Sequence, residues 1–167
     1  MINAVFVAWD KSHVNITSKG LCENWEENIQ MVREIIKDTF ILMKKSEKAG
    51  KEDIRIARDL LDTLNANKEI CVGLAANMIG ENKNIIAVQM GIIPVVMINP
   101  VIVSHSAGSY ETEEGCLSLE GVRKTRRWNE IEVEYDDMMM KKHKNIYKGL
   151  AAQIIQHEID HCNGIII

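Results

Sequence analysis

Apolar residues recur at helical spacing in two segments of the chain. Between Lys51 and Ala66 they form one stripe with charged residues on the opposite side: Ile54, Ala57, Leu60, Leu61 and Leu64. This period of about 3.6 residues predicts an amphipathic helix. The segment from Gly149 to Cys162 has the same period, and one of its faces carries Leu150, Ile154, His157, Glu158 and His161. Asn163 and Gly164 follow it, as is typical of the end of a helix.

Short runs rich in Val and Ile predict strands between these helices. The runs span 85–90, 92–99, 101–104 and 131–135, and in the last one apolar residues alternate with glutamates. The segment 136–145 is expected to be a strand end and a turn. The segment 31–45 is ambiguous, and we expect a helix that passes into extended chain. The order of the elements predicts an α+β fold in which the closing helix packs on the strands.

The composition is that of one globular domain. The chain has 167 residues, of which 46% are hydrophobic, and domains usually take about 100–200 residues. The net charge of −4 excludes the broad basic field of a typical nucleic-acid binder. No apolar run approaches the roughly 20 residues of a membrane span, and the apolar amino-terminal stretch is too short, and lacks the positive charge, for a secretory signal. We therefore expect a cytoplasmic protein.

The strongest chemical signal is the pair His157 and His161, one turn apart on the predicted C-terminal helix. Residues at i and i+4 lie on the same helix face, so both imidazoles can reach one divalent cation. Glu158 then lies beside an open coordination position, where its carboxylate can take a proton from water. A solvated polar helix face is the alternative. However, the motif shares its stripe with Leu150 and Ile154, so it should face the interior, where unpaired imidazoles are costly.

A catalytic metal centre of this kind needs a third protein ligand and a position for water. After His161 the chain offers one cysteine, one asparagine, one glycine and three isoleucines, so we expect the third ligand upstream. Cys116 is the outstanding candidate, because two imidazoles and a thiolate form a known catalytic tetrahedron. The four cysteines include no C-x-x-C pair, which in a cytosolic protein favours free thiols or metal ligands over disulfides.

Three blocks make the chain similar to the peptide deformylases, metallohydrolases that remove the N-formyl group from nascent bacterial proteins. They occur in the family's order: Gly73-Leu74-Ala75-Ala76, Glu114-Gly115-Cys116-Leu117-Ser118 and Gln156-His157-Glu158-Ile159-Asp160-His161. The resemblance implies an α+β fold of mostly antiparallel sheets packed around a C-terminal metal-binding helix. It covers the chain from about Met31, so we expect a deformylase-like domain at 31–167 and an N-terminal extension of unknown role at 1–30.

The resemblance also implies the roles of individual residues. Cys116, His157 and His161 would hold one Fe²⁺ or Zn²⁺ ion per chain, and Glu158 would be the general acid/base. The backbone N–H of Leu117 would point at the formyl oxygen. The expected substrate-binding residues are Gly73, Leu74, Ala75, Met78 and Arg123. N-formylmethionyl peptides are the expected substrate, and ribosome-bound nascent chains are a further expected partner. We expect a monomer that does not bind a membrane.

The first block departs from the family pattern. Cys71 stands where the family has Gly, and Asn77 and Met78 replace the usual Pro-Gln, whose Gln donates a hydrogen bond to the developing oxyanion. A thioether cannot donate one, and a lost oxyanion donor typically costs about 10²–10³ in turnover. Either Met78 marks a slow or specialised enzyme, or another donor substitutes, for which Asn77 is the nearest side-chain amide.

Several alternatives remain open at this point. An amidase or peptidase could act on an acyl group larger than formyl, an inactive or slow deformylase-like protein could bind formylated peptides or metal, and the metal could be structural. Glu114 is a candidate to orient a metal ligand. The basic run Arg123–Arg127 could touch ribosomal RNA, but the negative net charge favours a solvated strand edge.

Overall fold

The computed structural model describes residues 30–167, and they form an α+β fold. The helices are α1 (Thr39–Leu42), α2 (Ile54–Ala66) and α3 (Gly149–Cys162). The strands are β1 (Gly73–Ala75), β2 (Ile85–Met90), β3 (Ile93–His105), β4 (Ser109–Cys116), β5 (Leu119–Trp128), β6 (Glu130–Asp136) and β7 (Lys142–Lys148). Short 3₁₀ turns precede α2 and follow β1. No helix in this range is long and apolar enough to cross a membrane.

The strands form two antiparallel sheets. One has five strands in the order β1-β2-β3-β6-β7, and the other is the hairpin of β4 and β5. Helices α2 and α3 pack against β1 and β2, where the first four residues of β2 are all buried. The predicted α+β fold of mostly antiparallel sheets around the C-terminal helix is confirmed. This arrangement places α3 between the large sheet and the hairpin.

Both predicted helices are confirmed, α2 after a 3₁₀ turn at Lys51–Asp53 and α3 over Gly149–Cys162. α2 buries Ala57, Leu60 and Leu64, the stripe expected from its spacing. Gly149 has φ +56°, and glycine adopts this left-handed conformation readily where the chain leaves β7 and enters α3. Leu150, expected on the inner stripe of α3, is exposed.

Two predictions of local structure need correction. Segment 31–45 is extended first and ends in the short helix α1, the reverse of the expected order. The runs 92–99 and 101–104 form one strand, β3, which crosses Pro100 through a register shift between Ile98 and Val101. Proline has no backbone N–H to give to a partner strand, and this irregularity accommodates it.

Strand β7 was missed, because 136–145 was expected to be only a strand end and turn. Its alternating lysines lie opposite the glutamates of β6: Lys144 pairs with Glu132 and Glu134, and Lys148 pairs with Glu130. This charge alternation was the available signal. The expected extension at 1–30 lies outside the described residues except for Gln30 and stays a prediction.

Candidate metal centre

Helix α3 and strand β4 bring together the three residues expected to bind a metal. The Nε2 atoms of His157 and His161 are 3.2 Å apart, and the Cys116 thiol lies 3.3 Å from His161 Nε2. All three donor atoms lie within 4.8 Å of one another. The α-helical period places the imidazoles on one face, and Cys116 reaches them as the last residue of β4.

The spacing of these donors fits a single ion. A tetrahedral ion with bonds of about 2.1 Å to nitrogen and about 2.3 Å to sulfur separates its ligand atoms by roughly 3.3–3.6 Å. The distances from His161 Nε2 to His157 Nε2 and to the Cys116 thiol are slightly shorter, at 3.2 and 3.3 Å. No fourth His, Cys, Asp or Glu of residues 30–167 joins the group. The cluster therefore offers three protein ligands and leaves coordination positions for water or substrate.

The two imidazoles titrate in opposite directions. Burial disfavours the charge on His157, but hydrogen bonding to Cys116 and Glu114 outweighs burial and raises the pKa of His157 to about 10. Burial and the charge of His157 lower the pKa of His161 to about 3. Metal ligation requires deprotonated donors, so a cation would take the place of the proton held between these side chains.

Glu114 holds His157 from the side away from the cluster. Its Oε2 accepts a hydrogen bond from His157 Nδ1 over 2.8 Å, which directs the Nε2 lone pair toward the other two donors. His161 is positioned by burial, because it is 0% exposed and its Nδ1 has no partner among residues 30–167. The sequence-based suggestion that Glu114 orients a ligand therefore agrees with its position.

Arg127 is the residue that sequence reasoning missed. It was placed on a solvated strand edge, but it is 4% exposed and donates to both oxygens of Glu114 and to Asp160 of α3. Burial opposes ionisation of Glu114, but the hydrogen bonds from Arg127 and His157 outweigh it and lower the pKa of Glu114 to about 2. Glu114 is therefore ionised, as an acceptor for His157 must be.

Glu158 is a buried carboxyl directly beside the cluster. It is 3% exposed and its Oε2 has no hydrogen-bond partner in the described part of the chain. Burial raises the pKa of Glu158 to about 7. Gly73 makes room for it, since a Cβ at this position would lie 2.5 Å from Glu158 Oε1. A carboxyl that can gain and lose a proton near neutral pH suits a general acid/base.

A cavity of about 250 Å³ opens next to the cluster. Its lining includes Cys116, Leu117, His157, Glu158, Gly73, Met78, Cys71, Ile70, Val72, Glu113, Leu150, Gln153 and Ile154. Of the expected substrate-binding residues, Gly73 and Met78 line this cavity. Leu74 and Ala75 are fully buried in strand β1 beside it. Arg123 lies outside the lining, on β5, and donates to the backbone oxygen of Glu120.

Asn77 does not supply the substitute oxyanion donor that we considered. Its side-chain amide donates to the backbone oxygens of Leu42 and His161, over 3.2 and 2.8 Å. These two hydrogen bonds of the Asn77 amide hold the C-terminal end of α3 against the segment at Leu42. Met78 does line the cavity, and its sulfur accepts from the backbone N–H of Ala75 over 3.5 Å. Neither side chain presents a strong donor to the cavity.

Comparisons with known proteins agree on one family. The model of the polypeptide deformylase family matches residues 29–167. A peptide deformylase of Clostridium beijerinckii is 54% identical over 137 residues, which are 82% of this chain and 100% of that protein. A class I type b peptide deformylase of Acinetobacter baumannii, solved with Met-Ala-Ser bound, has a TM-score of 0.74 at 26% identity and covers 81% of this chain and 97% of that chain.

The same Acinetobacter baumannii enzyme, solved with actinonin bound, has a TM-score of 0.74 at 28% identity and covers 81% of this chain and 95% of that chain. The metal-ligand pattern, the fold and these matches lead to the same conclusion. The chain belongs to the peptide deformylase family.

Proposed function

We propose that Cys116, His157 and His161 hold one divalent cation beside Glu158, and that this site carries out the reaction of the family. The chain is a peptide deformylase, a metal-dependent hydrolase that removes the N-formyl group from the N-terminal methionine of new peptides and releases formate. One observation supports the residue assignment above all others: three ligand atoms lie within 4.8 Å of one another next to a buried carboxyl that lines the same cavity.

The protein's own residues account for the proton transfers. A cation in the cluster would supply Lewis acidity, which lowers the pKa of water and polarises a carbonyl group. Glu158 accepts a proton from the water that attacks the formyl carbon, and its pKa of about 7 suits this role at neutral pH. Glu158 then returns the proton to the departing nitrogen. The C–N bond breaks, and formate and a free amino terminus leave.

Cavity residues orient the substrate. The Leu117 backbone N–H is the proposed donor to the oxygen of the formyl group, since Leu117 lines the cavity directly after the ligand Cys116. The apolar wall, formed by Ile70, Val72, Leu150 and Ile154, takes the methionine side chain. Because Arg123 lies outside the cavity, it contacts the peptide backbone only when the substrate extends beyond the cavity.

The nitrogen and sulfur donors suit either Fe²⁺ or Zn²⁺. A thiolate ligand leaves an Fe²⁺ site open to oxidation, so the choice of ion governs how the enzyme must be handled. We place the protein in the cytoplasm as a monomer that acts on nascent chains at the ribosome.

The test is formate release by protein purified without oxygen and analysed for bound metal. We expect about one ion per chain and hydrolysis of formyl-Met-Ala-Ser, with little hydrolysis of acetyl-Met-Ala-Ser. Glu158→Gln keeps the three ligands, so it should retain the ion and lose about 10²–10⁴ in kcat. Cys116→Ser should lose the ion. A fully loaded wild-type protein that binds the formyl peptide without hydrolysing it would contradict the assignment.

A second candidate, a slow or inactive formyl-peptide binder, rests on Met78. The Met78 thioether lines the cavity but cannot donate a hydrogen bond, and the amide of Asn77 already donates to the backbone oxygens of Leu42 and His161. The retained Glu158 favours the active enzyme, because a site that only binds would not need a proton carrier.

A further inference from the structure

Among residues 30–167, Gln153 is the one side-chain amide in the lining of the cavity. It lies one helical turn before His157 on α3, on the side where the proposed function places the first side chain of the substrate. The same lining contains the exposed Glu113 and four aliphatic side chains: Ile70, Val72, Leu150 and Ile154. A polar group in an aliphatic wall creates a local preference for a ligand that can hydrogen-bond to it.

Within the described part of the chain, only the oxygen of this amide has a hydrogen-bond partner. The Tyr110 hydroxyl donates to Gln153 Oε1 over 3.0 Å. Strand β4 makes this contact in the same way as it makes those of Glu114 with His157 and Cys116 with His161. Tyr110 therefore belongs to the contact between β4 and α3 that also holds the proposed metal ligands.

A glutamine amide carries two N–H donors in addition to its oxygen. Because the oxygen of Gln153 is already bonded to Tyr110, the amide nitrogen is the group left to bond a ligand. It donates no hydrogen bond to any of residues 30–167.

We propose that Gln153 adapts this pocket to a first residue that carries a hydrogen-bond acceptor near its end, and in particular to methionine sulfoxide. The inference rests on the proposed function, since it concerns the same pocket and the same reaction. Oxidation converts the apolar thioether into a polar group. A wholly aliphatic wall would offer the sulfoxide oxygen no hydrogen-bond donor from the protein. The Gln153 N–H donates to that oxygen, whereas the thioether of unoxidised methionine is only a weak acceptor.

The experiment compares kcat/KM for formyl-Met(sulfoxide)-Ala-Ser with kcat/KM for formyl-Met-Ala-Ser. The readout is the ratio of the two, so a general loss of activity in a variant cancels. Gln153→Met removes every polar atom at nearly constant length. Gln153→Glu keeps an acceptor for Tyr110 but has no N–H. Both variants should lower the ratio by about tenfold, the effect of losing one hydrogen bond. Formyl-norleucine-Ala-Ser, which has no acceptor, should show no such fall relative to formyl-Met-Ala-Ser.

The outcomes separate this inference from the proposed function. If wild-type protein hydrolyses neither peptide, the proposed function fails. If it hydrolyses formyl-Met-Ala-Ser and both variants keep the wild-type ratio, Gln153 has no part in the preference. A fall in Gln153→Met alone would mean that polarity and not the N–H donor matters, and the proposal would be wrong.

Discussion

Arg127 donates two parallel hydrogen bonds to Glu114, from Nε to Oε1 over 2.9 Å and from Nη2 to Oε2 over 2.6 Å. Both side chains are buried. The same guanidinium pairs with Asp160, and the same carboxylate accepts from His157. Arg127 and Glu114 thus join the hairpin to α3 at two points, through the ion pair of Arg127 with Asp160 and through the hydrogen bond of Glu114 with the His157 imidazole.

Arg127→Met should destabilise the fold and weaken metal binding together. Removing one partner of a buried ion pair costs about 3–5 kcal/mol, and losing the support of a ligand typically costs about 10–100-fold in metal affinity. Urea unfolding and titration against a competing chelator measure the two effects. The double variant Arg127→Met with Glu114→Gln removes both charges and should recover part of the stability. Unchanged metal affinity in Arg127→Met would limit Arg127 to a structural role.

Glu158 should make the metal-free protein less stable at pH 8 than at pH 5. Burial raises its pKa from 4.5 to about 7, so between these values the folded protein holds a proton that the unfolded chain has released. The stability from this group is complete below about pH 4.5 and is lost as the pH rises through 7. Each pKa unit corresponds to about 1.4 kcal/mol, so the loss of stability is roughly 3 kcal/mol.

Glu158→Gln is the matched control for this pH effect, because it does not titrate. The difference in unfolding free energy between wild type and Glu158→Gln, each with chelator, cancels the other groups. A difference that is the same at pH 5 and pH 8 would show that burial does not raise the pKa of Glu158.

Gly73→Ala should reduce turnover strongly while the protein still folds. The added methyl group would lie 2.5 Å from Glu158 Oε1 and 2.6 Å from Ile154 Cγ2, so either the carboxyl or the helix must shift. A displacement of the general base by about 1 Å can cost about 10² in rate. Formate release measures the loss, and circular dichroism and metal content check the fold. Wild-type turnover in a folded Gly73→Ala protein would contradict this placement of Glu158.

Met78→Gln should raise turnover of formyl-Met-Ala-Ser. The side chain lines the cavity, and a glutamine there would add an oxyanion donor of a kind worth up to about 10²–10³ in kcat. Met78→Leu adds no donor and should give no gain. If Met78→Gln also gives none, another group in the cavity already supplies the hydrogen bond.

Asn77→Ala should affect stability rather than the oxyanion. Its amide bonds two backbone oxygens, those of Leu42 and His161, and loss of buried hydrogen bonds of this kind costs about 1–3 kcal/mol. Thermal unfolding should shift down. A variant of unchanged stability with strongly reduced kcat would restore Asn77 as a catalytic donor.

The helical spacing of His157 and His161 and the alternation in 131–135 were sufficient to predict α3 and β6, because these patterns depend on local backbone geometry. The same local geometry predicted that two imidazoles share one face. Cys116 followed from the number and type of ligands that such a site needs. Segment 31–45 and strand β7 were predicted wrongly because their conformation depends on distant partners: Met31 bonds Asp62, and β7 pairs its lysines with β6.

Only the tertiary structure decided the roles of Arg127, Asn77 and Gln153. Arg127 lies in a basic run with exposed neighbours, and nothing local distinguishes it. Its burial follows from the packing of β5 against α3, where Glu114 and Asp160 meet its guanidinium. Sequence patterns record which side chains one helix or strand presents together, because that order is set by the backbone period. The pairing of side chains from different elements is set by long-range packing, and the protein's buried charges and open donors depend on that packing.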